Sequence, residues 1–167
     1  AYTLFAQLYV AGCFSMLNFI GAEPNTPGEI NYSPLMIMAI FIFVWLSDTG
    51  AYFIGSMIGK RRLFERISPK KSWIGFWGGL ATAIGVAIAL HYAGLFCFDL
   101  IHCIFMGVLL CVAGVYGDLI ESQWKRHYNV KDSGNIIPGH GGLLDRFDSA
   151  LIAIPIGIIY LVVMNVL

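Results

Sequence analysis

The residues whose types and spacing best suit chemistry lie on a polar stretch between two apolar segments. Four side chains share one helical face there, at i, i+3, i+4 and i+7: Asp118, Glu121, Ser122 and Lys125. The next apolar segment begins with the same spacing, at Asp145, Asp148 and Ser149. Acidic helix ends facing basic groups suit a Mg²⁺-bound phosphate substrate, because Mg²⁺ takes one or two carboxylates plus phosphate oxygens and water. A salt-bridged or disordered loop explains the same residues, and the chemistry alone leaves these alternatives open.

Two further polar groups lie upstream. Asp48 falls within an apolar stretch, where an ionisable residue is costly unless it is paired or lines a wet cavity. Either a helix ends near Ser47 and Asp48 caps the next segment, or Asp48 lines a polar cavity in the interior. Lys70 and Lys71 are followed by the hydroxyl of Ser72 and by the Gly-rich start of a helix. One interpretation of this combination is an anion site. The competing interpretation is a basic anchor for anionic lipid headgroups.

His140 lies among glycines that would let the backbone approach a phosphate closely. A lone His is more often structural, and no second His or Cys has the spacing of a metal site. The four cysteines form no C-x-x-C pair and lie in apolar stretches, which is typical of small buried hydrophobes.

The elements that position these residues are predicted membrane helices. Hydrophobic residues make up 58% of the chain and charged residues 12%, against about 25% charged in soluble domains. The fold class is therefore all-α, a polytopic transmembrane helical bundle. Five segments approach the length of about 20 apolar residues that a span needs. They are 2–20, 34–58, 73–92, 98–119 and 149–167. The zero net charge disfavours a nucleic-acid partner.

Basic residues are confined to two connections. Loops 59–72 and 122–148 hold all 10 Lys and Arg residues, and counting crossings puts both on one side of the membrane. The positive-inside rule makes that side the cytoplasm, with the N-terminus of the chain cytoplasmic and its C-terminus on the far side. The opening, AYTLFAQLYV, has no initiator Met and no signal-peptide pattern. We expect a single catalytic membrane domain, 1–167, that forms the C-terminal part of a longer protein.

The second basic loop resembles the signature of phosphatidate cytidylyltransferases, with its spacing intact. The matching residues are Ser122, Lys125, Arg126, Lys131, Asp132, Pro138, His140, Gly141, Gly142, Asp145, Arg146 and Asp148. The stretches GDLIES, SDTGAYFIG and ISPKKSW also look like those of the family. Two positions depart from the family pattern: Ser56 stands where Arg is usual, and Ile74 where Glu is usual. Both departures put substrate contacts of that region in doubt, but not the metal centre.

The resemblance implies Mg²⁺-dependent synthesis of CDP-diacylglycerol and pyrophosphate from CTP and phosphatidic acid. It implies that Asp118 and Asp145 hold the metal, and Asp148 is a further candidate ligand. A second, monovalent cation is an additional candidate. We expect catalytic roles for Asp118, Asp145, Lys131 and His140. The expected substrate-binding residues are Ser68, Lys70, Lys71, Ser122, Lys125, Arg126, Arg146 and Asp48.

Other functions compete with this interpretation. A CTP-dependent polyprenol kinase or a CDP-archaeol synthase resembles the family more distantly. A transporter that uses Asp48 and Asp118 as an ion path is the rival from another class, and it leaves the intact signature unexplained. We expect an integral protein of a bacterial inner (cytoplasmic) membrane, with its site facing the cytoplasm, and a homodimer is one assembly compatible with the sequence.

Overall fold

A computed structural model describes residues 2–18, 22–26, 29–32, 34–95, 99–134, 142 and 144–164. Within these residues the helices are α1 (Tyr2–Ser15), α2 (Pro34–Ile58), α3 (Trp73–Tyr92), α4 (Leu100–His127) and α5 (Leu144–Val163). One antiparallel hairpin, β1 (Ala22–Thr26) and β2 (Glu29–Tyr32), joins α1 to α2, and another, β3 (Arg62–Phe64) and β4 (Ser68–Ser72), joins α2 to α3. The predicted all-α polytopic bundle is confirmed, and the two hairpins were not predicted.

Four helices of the described chain, α2 to α5, are long and apolar enough to cross a membrane. The predicted bounds of α2 and α3 are confirmed. Helix α1 ends at Ser15, which is shorter than the predicted segment 2–20, and residues 19–21 lie outside the described part. Because α2 continues without a break to Ile58, the alternative that a helix ends near Ser47 is wrong.

Helices α4 and α5 extend beyond their apolar segments into the polar stretch between them. Helix α4 continues past the predicted end at Leu119, and its last turn holds Lys125, Arg126 and His127. Cations there complement the negative end of the helix dipole. Helix α5 begins at Leu144, before the predicted start at Ser149, with Asp145 in its first turn. The acidic faces noted in the sequence are therefore helical.

The bundle is centred on apolar side chains from α2, α4 and α5. Phe43, Met106, Leu110 and Ile154 are fully buried within it. Helix α2 also packs closely against α3, and a Cβ added at Gly75 would lie 2.7 Å from the Ala51 carbonyl oxygen. Small residues allow such close approach between membrane helices, whose association depends on van der Waals contact.

The β3–β4 hairpin is tied to the start of α3. Arg62 pairs with Ser72 in the strand register, and the Trp73 amide donates to the Arg61 carbonyl at 3.1 Å. Ser72 caps α3, since its hydroxyl accepts from the Gly75 amide at 3.1 Å. This arrangement fixes Lys70 and Lys71 at the end of the bundle where α4 ends and α5 begins. The described parts of both basic loops lie at one end of the bundle, and their placement on the cytoplasmic side of a membrane stays a prediction.

Candidate active site

A cavity of about 660 Å³ opens at the end of the bundle that carries the basic residues. Its walls come from α2, the β3–β4 hairpin, the first turns of α3, α4 and the start of α5. Its charged lining residues are Asp48, Arg62, Lys70, Lys71, Asp118, Asp145 and Asp148. The fold thus brings residues distant in sequence into one polar space of the size expected for a small-molecule site.

Lys71 and Asp118 join the hairpin to α4. The Lys71 ammonium lies 2.6 Å from Asp118 Oδ2, and both side chains are largely buried. Lys71 Nζ also donates to the Val115 carbonyl at 3.5 Å. Ser122 lies one turn after Asp118, and its hydroxyl donates to Asp118 Oδ1 at 3.1 Å. Both oxygens of Asp118 therefore have a partner within the protein.

Lys125 joins α4 to α5. Its Nζ lies 2.6 Å from Asp145 Oδ1 and 3.4 Å from Glu121 Oε1. The contact with Glu121 is an ion pair without a hydrogen bond, and neither buried oxygen of Glu121 has a hydrogen-bond partner among the described residues. A buried carboxylate without hydrogen bonds is costly, because it loses its hydration without compensation. Glu121 thus depends on the charge of Lys125.

Asp145 closes the polar loop onto the start of α5. Its Oδ2 accepts hydrogen bonds, each of 2.9 Å, from the Ser133 amide, the Ser133 hydroxyl and the Gly142 amide. Gly142 is confined at this point, since an added Cβ would lie 3.0 Å from Asp145 Oδ2 and 2.8 Å from the Gly134 amide nitrogen. A glycine in the signature is therefore explained by packing against the carboxylate.

Asp48 and Asp148 line the cavity from α2 and α5. Asp148 Oδ1 accepts from the Ser149 amide at 2.6 Å, and the Ser149 side chain is within hydrogen-bonding reach of Asp48. Neither aspartate forms an ion pair with a described residue. As predicted, Asp48 lies in the polar cavity and not on the lipid face.

The other predicted site residues divide into three groups. Ser68 and Lys70 line the cavity beside the aspartates. Ser122 and Lys125 do not line the cavity, but they donate hydrogen bonds to the lining residues Asp118 and Asp145. Exposed residues that do not line the cavity are Arg126, Lys131 and Arg146. His140 and Pro138 lie outside the described residues, so the roles proposed for His140 and for the exposed residues stay predictions.

Sequence reasoning missed three residues that shape this site. Arg62 lines the cavity, and Ser133 donates twice to Asp145. Both depend on chain reversals that carry no periodic pattern, namely the β3–β4 hairpin and the return of the polar loop. Glu121 was noticed as part of the α4 face but was given no role. Its spacing of i, i+4 from Lys125 was the available signal.

The donor chemistry of the cavity fits Mg²⁺. Carboxylate oxygens are its preferred protein ligands, and four aspartates line one space. Among the described residues no three His, Cys, Asp or Glu side chains are arranged to enclose an ion. Mg²⁺ does not require three, because phosphate oxygens and water complete its shell. Asp118 and Asp145 are the residues that would hold the ion, with Asp148 as a further candidate, and their lysine partners would have to move aside.

Fold and site together define a helical membrane protein with a polar cavity lined by aspartates and basic side chains. The Cytidylyltransferase family matches residues 1–164, and the chain belongs to this family. Phosphatidate cytidylyltransferase of Bacillus subtilis (strain 168) is 41% identical over 150 residues, which cover 90% of this chain and 54% of the relative. The proteins of that name from Staphylococcus aureus (strain COL) and Staphylococcus haemolyticus are 47% and 45% identical over 120 residues, 72% of this chain and 46% of each relative. The predicted family is confirmed.

The chain spans about half the length of the curated relatives it matches. Four spanning helices and bacterial relatives make it an integral membrane protein. The two departures from the family pattern differ in position. Ser56 lines the cavity and donates to the Phe53 carbonyl at 2.9 Å, whereas Ile74 is 38% exposed on the first turn of α3.

Proposed function

We propose that this chain is the part of a phosphatidate cytidylyltransferase that transfers CMP from CTP to phosphatidate. The observation that carries the proposal is one cavity where four aspartates meet Arg62, Lys70 and Lys71 at the end of a membrane bundle. The names of the relatives from Bacillus subtilis and Staphylococcus aureus support the same reaction. The products are CDP-diacylglycerol and pyrophosphate.

The acceptor needs little activation in this reaction. A phosphate monoester has a second pKa of about 6, so phosphatidate is already anionic at neutral pH. One of its phosphate oxygens attacks the α-phosphorus of CTP, and a new P–O bond forms. The bond from the α-phosphorus to the bridging oxygen breaks, and its electron pair leaves with pyrophosphate. An in-line displacement of this kind depends on positioning and on charge neutralisation.

The basic residues of the cavity perform those two tasks. Arg62 and Lys70 line the hairpin wall without an ion pair to any described residue, so they are available to the β- and γ-phosphates. Lys71 holds Asp118, and Lys125 holds Asp145, so that like charges do not drive the wall apart. Mg²⁺, when bound, neutralises phosphate charge and stabilises the departing pyrophosphate.

The membrane supplies the second substrate from the side. Tyr52 lines the cavity yet is 75% exposed on α2, which supports a lateral opening toward the acyl chains. The phosphate of a lipid held there reaches the aspartates while its tails stay in the bilayer. By the positive-inside rule this end of the bundle faces the cytoplasm, the compartment that holds CTP, and the bacterial relatives support an inner-membrane location.

The test uses the purified full-length protein in nanodiscs that contain phosphatidate. With CTP labelled at the α-phosphate, we expect label in the lipid fraction and stoichiometric release of pyrophosphate. With CTP labelled at the γ-phosphate, the lipid stays unlabelled. Transfer of the γ-label to a polyprenol would identify a kinase and overturn the proposal. Ion flux without CTP turnover would identify the transporter.

A matched pair of variants separates chemistry from folding. Asp118→Asn keeps the shape of the side chain and removes the charge that faces Lys71, and we expect turnover to fall by at least about 100-fold. Asp99→Asn makes the same change at the opposite end of α4, where Asp99 is exposed and forms no capping hydrogen bond. Asp99→Asn should retain wild-type turnover.

A further inference from the structure

A basic surface outside the cavity lies on the β3–β4 hairpin. We define the hairpin patch as Lys60, Arg61 and Arg66 with the aromatic ring of Phe64, all exposed. None of these residues lines the cavity. None of the three cations forms an ion pair with a described residue. The cavity and the internal salt bridges therefore leave these charges unexplained.

The hairpin patch adjoins two exposed tryptophans at the start of α3. The Trp73 amide bonds to the Arg61 carbonyl at 3.1 Å, so Arg61 is held at the point where α3 begins. Helix α3 exposes Trp73 and Trp77 in its first two turns, with exposed fractions of 42% and 60%. Tryptophan is enriched at headgroup depth. The backbone pairing thus holds Arg61 beside two exposed tryptophans, which supports a position at headgroup depth for the hairpin patch.

The composition of the hairpin patch matches surfaces that lie on membranes. Phe64 is 48% exposed among the cations, and Lys or Arg combined with an exposed aromatic ring is typical of interfacial binding. Glu65 is the acidic residue between them, and it is exposed and forms no ion pair with a described residue. The exposed surface of the hairpin patch therefore carries a net positive charge.

We propose that the hairpin patch docks anionic phospholipid headgroups of the adjacent leaflet, next to the cavity. A membrane phosphate is favoured over a soluble nucleotide because the cations adjoin exposed tryptophans, which are enriched at headgroup depth, and do not line the cavity. The lipid docking itself is independent of chemistry. Its benefit to turnover rests on the proposed function, because phosphatidate is one of the anionic lipids that the patch would concentrate at the lateral opening.

The first measurement involves no turnover. Spin-labelled phosphatidylglycerol and phosphatidylcholine report by electron spin resonance how strongly each lipid associates with the full-length protein in phosphatidylcholine bilayers. Phosphatidylglycerol is anionic but is not the acceptor, so it reports charge and not the cavity. We expect the wild-type protein to prefer it by roughly fivefold, a preference that about 0.5 M salt weakens. The variant K60Q/R61Q/R66Q should show a preference near one.

Two control variants allow the test to be decided even if the triple variant folds poorly. K60R/R61K/R66K conserves the charge and should keep the preference, while Glu65→Gln removes the acidic residue and should strengthen it. An unchanged preference in K60Q/R61Q/R66Q, or in Glu65→Gln if the triple variant does not fold, overturns the proposal. Loss of the wild-type preference on adding CTP or pyrophosphate would also overturn it, because the patch would then be a nucleotide site.

The second measurement links docking to turnover. In mixed micelles K60Q/R61Q/R66Q should raise the KM for phosphatidate severalfold and leave kcat and the KM for CTP unchanged. A wild-type KM for phosphatidate in a variant that has lost the lipid preference would contradict the link to the cavity. If the protein turns over no CTP at all, the proposed function fails while the spin-label result still decides the docking.

Discussion

Asp118 and Asp145 each face a lysine at 2.6 Å, so the carboxylates expected to hold a metal are already neutralised by the protein. A divalent ion and an ammonium compete for the same oxygens. Metal binding should therefore displace Lys71 and Lys125 toward the phosphates of the substrate. In this structure both lysines are counter-ions of the aspartates, and we expect them to become phosphate ligands when a metal takes the carboxylates.

Asp145→Asn tests this competition. The amide keeps one acceptor oxygen for the loop but loses the charge that holds Lys125 and the metal. Mn²⁺ replaces Mg²⁺ in this test, because its binding can be followed by electron spin resonance. We expect the affinity of the variant for Mn²⁺ to fall by at least tenfold. Lys125→Met removes the competing cation, and it should raise Mn²⁺ affinity even though turnover falls. Equal affinities in all three proteins would refute a metal at Asp145.

Glu121 provides a second test at the residue scale. Its carboxylate is buried beside Lys125 and has no hydrogen bond among the described residues, so it acts through the charge of that lysine. Glu121→Gln should lower kcat by about 10–100-fold, as is typical for groups that support metal or phosphate ligands, with a smaller change in the KM for CTP. Steady-state kinetics on protein with an unchanged circular dichroism spectrum would show it. Wild-type kcat in Glu121→Gln would leave Glu121 with a packing role only.

Among the elements, the α2–α3 pair positions the hairpin and through it the cavity. Gly75 allows the contact, because an added Cβ would meet the Ala51 carbonyl oxygen at 2.7 Å and the Gly55 Cα at 3.1 Å. Gly75→Ala should destabilise the protein by about 1–3 kcal/mol, the usual cost of overpacking. Thermal unfolding in detergent should show a midpoint lower by several degrees.

Gly85 offers the matched control on the same helix. It is exposed, and an added Cβ would meet nothing within 4 Å. Because Ala favours a helix over Gly by up to about 1 kcal/mol, Gly85→Ala should be neutral or stabilising. If both variants lost stability equally, the loss at Gly75 would not come from the α2–α3 contact, because an added Cβ at Gly85 meets nothing.

For the whole molecule, topology is the property to test. Single cysteines at Glu65 and Tyr128, in a background without native cysteines, lie on exposed positions at the cavity end. Tyr92 is 78% exposed at the other end of α3. In spheroplasts with an intact cytoplasmic membrane, a membrane-impermeant maleimide should label a cysteine at position 92. It should leave cysteines at positions 65 and 128 unlabelled. Labelling of 65 without 128 would disprove their placement on one side.

Periodicity and hydropathy predicted the large elements because the bilayer imposes one length and one polarity on every span. The bounds of α2 and α3 follow from this, and so does the convergence of both basic loops at one end. The ends of α4 and α5 were misjudged, because their polar turns are stabilised by contacts such as Lys125 with Asp145 that no single segment reveals. The roles of Arg62 and Ser133 were not predicted for the same reason, because the register of a hairpin and a loop contact bring these residues to the site.

The order of synthesis determines when each polar partner of Asp48 becomes available during membrane insertion. Asp at the centre of an inserting helix costs about 3 kcal/mol, and its eventual neighbour Ser149 is synthesised on the order of ten seconds later. Lys71 is synthesised sooner, on the hairpin that connects α2 to α3, and its positive charge interacts with the Asp48 carboxylate. The α2–α3 pair therefore enters the bilayer with its own counter-ion. Asp118 binds that lysine once α4 has been inserted, so Asp48 and Asp118 share Lys71 as a counter-ion until α5 brings Ser149 to Asp48 and adds the other two aspartates of the cavity.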